Sequence, residues 1–204
     1  HDALPDLGTI PAGDKIRTLN RKKPNVPREE YEPFLPDADL VPPMACFGEG
    51  YRFHATGLTH DEHGFPKTSS TEVQQRLVRR LCEKIGKNAD KIIRVEEVML
   101  DDADVVVVAY GIVARAALSA VRKAREKGIK AGLLRLITLW PFPEKQVAKV
   151  AQQAEKIVVP EMNCGQLVRE VERAAKETPV SFLGKLGEEP HTPLEILESI
   201  RRSS

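Results

Sequence analysis

Residues 104–128 read DVVVVAYGIVARAALSAVRKAREKG. A strand with one wet face alternates apolar and polar side chains. The first seven residues instead give a continuous apolar run, bounded by acidic residues and Gly111, so they read as a strand buried on both faces. The next stretch, 112–127, is rich in alanine. It places Val113, Ala117, Leu118, Val121 and Ala124 on one helical face and ends at Gly128. A doubly buried strand followed at once by an amphipathic helix implies a parallel sheet with helices on both sides.

The same alternation continues toward the C-terminus. GLLRLITL (132–139) is the next strand, and Pro143 suits the first turn of a helix over 143–154. KIVVPEM (156–162) is a strand, 165–176 a helix, and VSFLG (180–184) a last strand. Thr192-Pro193-Leu194-Glu195 has the capping-box spacing that opens a terminal helix. KIIRVEEV (91–98) offers an edge strand. Strands separated by single helices pair in parallel through right-handed crossovers. The expected fold is therefore α/β: a three-layer α/β/α sandwich with a mostly parallel sheet over 101–204, preceded by an extended proline-rich arm.

That arm occupies residues 1–68, which hold nine of the fifteen prolines. So many prolines break helices and remove ladder donors, so the segment reads as the wrapping remainder of a preceding domain. Residues 69–100 are expected to connect the two parts, beginning with a helix over 69–86. Ser69 and Glu72 have capping-box spacing, Val73, Leu77, Val78, Leu81 and Ile85 form one apolar face, and Gly86 suits the stop. Arg76, Arg79, Arg80 and Lys84 lie largely opposite, as a solvated face or a protein interface.

Thirty-one basic and thirty acidic residues give a net charge of +1. That balance argues against a nucleic-acid partner, which calls for a basic excess. Arg21-Lys22-Lys23 beside Pro24 reads as solvated. No apolar run approaches the ~20 residues that span a bilayer, so no membrane partner is expected. The opening HDALPDLG has neither a basic nor an apolar leader region and no initiator Met, which reads as a fragment without a secretion signal. Cys46, Cys82 and Cys164 form a sparse, odd set with no C-x-x-C, as suits a reducing cytoplasm and neither a zinc ribbon nor an iron–sulfur cluster.

Two places concentrate polar chemistry. No G-x-G-x-x-G occurs after the first strand; Gly111 permits a tight turn, and the helix end behind it could accept an anion. PEMNCGQ (160–166) joins a strand end to a helix start, where open α/β sheets bind ligands. Glu161 and Asn163 there read either as turn and capping groups or as a ligand or interface contact. Cys164 has no nearby histidine, so no catalytic nucleophile is named. The second place is ATGLTHDEHGFP (55–66). Its glycines and proline make a loop rather than the helix that zinc-binding histidines prefer, so no metal ligand is assigned. The segment reads as a polar turn, or as a substrate, cofactor or partner contact through His54, Thr59, His60, Asp61 and Glu62.

PPMACFGEGYRFHATGLTHDEHGFP and its lead-in NRKKPNVPREEYEPF resemble the α subunit of 2-oxoacid:ferredoxin oxidoreductases, especially the 2-oxoglutarate type. RLITLWPFPEKQV and VVPEMNCGQL resemble the C-terminal domain of transketolase-like thiamine-diphosphate enzymes. The resemblance covers most of residues 17–200. It implies a complex that converts a 2-oxoacid, coenzyme A and oxidised ferredoxin into an acyl-CoA, carbon dioxide and reduced ferredoxin. It also implies a β subunit, with further small subunits in some arrangements, and thiamine diphosphate, Mg2+ and a [4Fe-4S] cluster in the assembled complex. None of these cofactors is expected on this chain alone, because the resemblance places the diphosphate, magnesium and cluster sites on the β subunit; the family's activating glutamate and its Tyr-Pro-x-Thr-type motif are not recognisable here either. The chain is thus expected to be the C-terminal portion of the subunit and inactive by itself, with the THDEHG loop at a subunit or domain boundary near the substrate or coenzyme A entrance. The alternatives are a subunit of a 2-oxoacid dehydrogenase or transketolase-like enzyme, and a non-catalytic binding or assembly module.

Overall fold

The computed structural model describes residues 13–16 and 19–202, with the backbone alone at Asp14. The opening HDALPDLG, on which the fragment reading rests, lies outside the described residues. The chain forms two compact units, His1–Ala89 and Asp90–Ser204.

In the first unit the proline-rich segment carries two single 3-10 turns, Gly13–Lys15 and Arg28–Glu30, and an isolated bridge between His60 and Pro66. Its one long element is α1, Thr71–Gly86. The N-cap is Ser70, whose side chain accepts from the Val73 amide, and not Ser69. Ser70 stands three residues before Val73, so its hydroxyl meets the orphan N–H that Ser69 would miss. The apolar face of α1 is only partly covered: Val73, Leu77 and Ile85 are half-buried, Val78 and Leu81 are exposed, and no residue of the helix is fully buried.

The second unit begins within a short helix α2, Ala89–Ile92, so only the last four residues of KIIRVEEV form the edge strand β1, Val95–Val98. Then follow β2 (Val105–Tyr110), α3 (Val113–Glu126), β3 (Ala131–Leu136), α4 (Glu144–Gln153), β4 (Lys156–Glu161), α5 (Leu167–Ala175), β5 (Val180–Gly184) and α6 (Pro193–Arg201). The sheet order is β1-β3-β2-β4-β5, parallel except for β1, which runs antiparallel to β3. β3 stops at Leu136, because the Ile137 and Thr138 amides turn back to the Arg94 carbonyl. Pro143 takes the N-cap position of α4 and the helix begins at Glu144.

Helices cover both faces, as the unbroken valine run requires. Val106 and Val108 point to the layer of α4 and α5, where Val147, Val150 and Val171 are fully covered. Val105, Val107 and Ala109 point to the layer of α3 and α6, among Ala117, Val121 and Ile196. Each completely buried valine stabilises the fold by about 1.5–3 kcal/mol. On α3 the buried residues include Ala114 and Ala120, whereas Leu118 is half-buried. Small side chains are what let this helix approach the sheet closely. At the sheet's amino end Gly132 permits a further close approach. A Cβ there would stand 2.7 Å from both the Met99 carbonyl oxygen and Leu100 Cδ2, and 2.9 Å from Ala103 Cβ.

α6 begins with the expected capping box. Thr192 accepts from the Glu195 amide, and Glu195 accepts from the Thr192 amide at 2.6 Å while pairing with Lys185. The Thr192 backbone bond, then the Lys185 and Thr192 side chains, hold the Glu195 carboxyl at about 2.

Two outcomes follow. Gly132→Ala should destabilise the second unit by about 1–3 kcal/mol, read as a lower urea midpoint, because a backbone carbonyl blocks the new methyl. A carboxyl depressed in the folded state adds stability above its ordinary value of 4.5 and loses it as pH falls toward about 2. Urea midpoints of the wild type and Glu195→Gln should therefore differ at neutral pH and converge across that acid window.

Candidate functional site

The THDEHG turn builds itself from the aspartate. Asp61 Oδ1 accepts from the His63 and Phe65 amides at 3.1 and 3.0 Å, and the Asp61 amide donates to the Phe65 carbonyl at 3.1 Å. An aspartate satisfies its own following backbone in this way without any ladder. Gly64 is required at the corner: its φ is +86°, and a Cβ there would meet the His54 carbonyl oxygen at 2.1 Å. His54 stacks on Phe65 with ring centroids 5.5 Å apart.

The turn is tied to α1 at two points. Thr59 Oγ1 donates to Gln74. Glu62 receives Arg76 through both carboxylate oxygens, Nε at 2.8 Å and the second guanidinium nitrogen at 3.2 Å, a two-point geometry that fixes orientation as well as distance. His60 shares Nδ1 with the Leu58 carbonyl at 2.8 Å and rests on Phe34, while its Nε2 is buried without a partner among the described residues. Between turn and helix lies a cleft of about 570 Å³, lined among others by Phe34, Leu40, His60, Glu62, Arg76 and Arg80. Burial pulls the Arg80 guanidinium below its ordinary range, opposed by the charge of Glu62. The structure thus brings Thr59, His60, Asp61 and Glu62 together around one clamp and sets His54 against Phe65. Arg76 was legible only as one of several arginines on a polar face; its pairing with Glu62 requires the chain to fold back over fourteen residues.

The second place lies at the carboxyl end of the sheet, where β2 and β4 are neighbours whose crossovers leave on opposite faces. Glu161 ends β4 and is wholly buried. Its Oε2 accepts from the Leu167 amide at 2.8 Å and from Asn163 Nδ2 at 3.0 Å, and its Oε1 accepts from the Val168 amide at 2.8 Å. Asn163 Oδ1 takes the Gly165 and Gln166 amides at 2.7 and 3.0 Å, and Nδ2 also reaches the Tyr110 hydroxyl at 3.3 Å. Four successive backbone donors at the start of α5 are therefore bound by the protein's own side chains. The positive end of that helix faces a resident carboxylate, which offsets the cost of burying the charge. Burial first, and then the Glu161 charge, push the Tyr110 hydroxyl up, against the pull of its Asn163 bond. α3, by contrast, has no side-chain cap at Ile112, and a Cβ built on Gly111 before it (φ +56°) would meet no described residue within 4 Å.

Among the described residues no three His, Cys, Asp or Glu side chains form a metal-ligand set. The three cysteines are free and exposed. These residues do not fit a [4Fe-4S] cluster or a Mg2+ site, and the start of α5 is already filled where a diphosphate would need donors. No helix among the described residues is long and apolar enough to cross a membrane.

Residues 103–196 match the family model of the pyruvate:ferredoxin oxidoreductase core domain II. The 2-oxoglutarate synthase subunit KorA of Methanothermobacter thermautotrophicus is 47% identical over 193 residues, covering 94% of this chain and 51% of that one. The chain resembles 2-oxoacid:ferredoxin oxidoreductase subunits. KorA of Methanocaldococcus jannaschii gives 47% over 189 residues, covering 92% of this chain and 50% of its own. The ketoisovalerate oxidoreductase subunit VorB of M. thermautotrophicus gives 38% over 121 residues, 59% of this chain and 34% of that one. In fold, the chain superimposes with a TM-score of 0.81 and 24% identity on 2-oxoglutarate:ferredoxin oxidoreductase from Magnetococcus marinus, a structure with 2-oxoglutarate, coenzyme A and succinyl-CoA bound, covering 95% of this chain and 34% of that one. The chain spans about half the length of the curated relatives it matches.

Glu161→Ala should lower the stability of the chain by about 3 kcal/mol, because it strips charge-assisted bonds from two buried amides. The measurement is urea unfolding followed by far-ultraviolet circular dichroism; an unchanged midpoint would show that the α5 amides find other partners.

Proposed function

We propose that this chain is the C-terminal part of the α-type subunit of a cytoplasmic 2-oxoglutarate:ferredoxin oxidoreductase. The reaction is 2-oxoglutarate, coenzyme A and oxidised ferredoxin to succinyl-CoA, carbon dioxide and reduced ferredoxin. The observation that carries this reading is the 47% identity to KorA over 94% of the chain, a match longer than the second unit alone. Relatives named for 2-oxoglutarate are 41–47% identical, whereas those named for ketoisovalerate are 38–39% and that named for pyruvate 29% identical, which favours 2-oxoglutarate as the substrate.

In this reading thiamine diphosphate, with Mg2+ and the [4Fe-4S] cluster, is held by a β subunit, and when bound it supplies the electron sink for decarboxylation. The residues of this chain position rather than react. Glu62 and Arg76 lock the THDEHG turn to α1, which holds the turn in one shape at a subunit boundary near the substrate or coenzyme A entrance. Glu161 and Asn163 fix the start of α5, and Gly111 leaves the start of α3 open for an anion or an interface.

The test is to purify the chain as its natural gene product together with its partner subunits and to follow ferredoxin reduction. Reduction should require both 2-oxoglutarate and coenzyme A and be slower with pyruvate or 2-oxoisovalerate. Glu62→Ala, which frees the turn, should lower the yield of assembled complex or raise the KM for 2-oxoglutarate several-fold. Absence of 2-oxoglutarate-dependent reduction in an assembled, cluster-bearing complex would sink the proposal.

A further inference from the structure

The cleft beside α1 lies wholly within the first unit, and its charges do not cancel pair by pair. Four acids line it, and each already has a cation. Glu62 spends both carboxylate oxygens on Arg76, Glu72 also meets Arg76, Asp61 faces Lys67 at 3.9 Å, and Glu83 holds Lys87. Arg79 and Arg80 line the same cleft and form no ion pair among the described residues. Arg79 is exposed, but Arg80 is half-buried. The Arg80 guanidinium donates, among the described residues, to the Leu40 carbonyl alone, at a long 3.4 Å. A guanidinium carries five donors and matches a carboxylate at two points, so most of what Arg80 offers is unspent.

Leu40 is an independent sign that this place is shaped for a purpose. Its φ is +65°, in the left-handed region that a side-chain-bearing residue enters at a cost of about 1–2 kcal/mol. Such strain is retained where the surroundings over-determine a local shape, as at ligand clamps. Here it closes the Asp37–Leu40 turn, sets the Leu40 carbonyl beside Arg80, and keeps the residue on the wall of the cleft. Phe34, Val73 and Leu77 continue that wall. Apolar walls around a few polar groups, in a volume of about 570 Å³, are the make-up of a small-molecule site.

The chemistry of the lining selects the ligand. A cation finds no free acid. Phosphate offers nothing to the apolar wall, and its second charge would stand near four carboxylates. 2-Oxoglutarate has two carboxylates and no apolar body, so it is not the molecule this cleft selects. A single carboxylate on a compact apolar body meets both needs. We infer that the cleft between the THDEHG turn and α1 binds a small organic monocarboxylate, with Arg80 as its anchor and Phe34, Leu40 and Leu77 against its apolar body. This site goes beyond the proposed activity and does not rest on it.

The test uses the natural gene product assembled with its partner subunits, with hydrocinnamate as the probe. Isothermal titration is run with 2-oxoglutarate in excess, so that a substrate site is already filled. Hydrocinnamate should bind at least about tenfold more tightly than its neutral amide or inorganic phosphate. Arg80→Gln should weaken hydrocinnamate by at least about tenfold and leave the amide unchanged, while Arg80→Lys, which keeps the charge, should weaken it less. Leu77→Ala, which trims the wall and leaves the charge, should weaken acid and amide alike by several-fold, and it serves if Arg80→Gln fails to assemble. No binding of hydrocinnamate to the assembled complex overturns the inference. So does equal binding of the amide, or an affinity indifferent to Arg80→Gln or to Leu77→Ala. Arg80-dependent binding in a complex that does not reduce ferredoxin with 2-oxoglutarate upholds this inference and counts against the proposed activity alone.

Discussion

β2 can exist in water only if both of its faces are covered, because Val105 to Ala109 offer no polar side to solvent. That constraint places α3 and α6 on one face and α4 and α5 on the other. Covering both faces obliges the chain to leave β2 and β3 on opposite sides, and this creates the point where β2 and β4 lie side by side with their crossovers diverging. The helix starts, the buried carboxylate and the apolar loops all gather at that end of the sheet as a consequence. A single strand's hydrophobicity therefore dictates where polar chemistry can be placed.

At that end the protein uses one buried charge to solve a local problem. α5 starts without a serine, threonine or aspartate cap, and the buried Leu167 and Val168 amides would otherwise lack acceptors. Glu161 and Asn163 reach forward from the strand end and take the four amides from Gly165 to Val168. The cost of burying a carboxylate is met by charge-assisted bonds and by the positive end of the helix. The same arrangement turns a helix start that looks suited to a phosphate into a closed, self-bound one, while the start of α3 stays open. The THDEHG turn follows a related economy in the first unit. Asp61 supplies the turn's internal bonds, and Glu62 is left to hold α1 through Arg76. Two adjacent acids of similar chemistry thus have different tasks, set by which backbone or side-chain donors lie within reach.

The sequence by itself determined the order of strands and helices from residue 104 onward, the capping box at Thr192, and the loop character of residues 55–66. Each of these is written in local periodicity or in a residue's bond to a neighbour three or four positions away. The resemblance to oxidoreductase subunits was legible for the same reason, since contiguous residues carried it. Boundaries were less legible. Ser70 rather than Ser69 caps α1, and β3 ends at Leu136, because hydrogen-bond register and not composition chooses between adjacent candidates. Only the tertiary structure decided that Glu62 meets Arg76, that Glu161 is buried against α5, and that Arg80 lines one cleft with Phe34 and Leu40. Those pairings join residues far apart in sequence, and no local pattern ranks one arginine or one carboxylate above another. The fold ranks them, because the packing of a doubly covered sheet fixes which chain ends come within reach of each other.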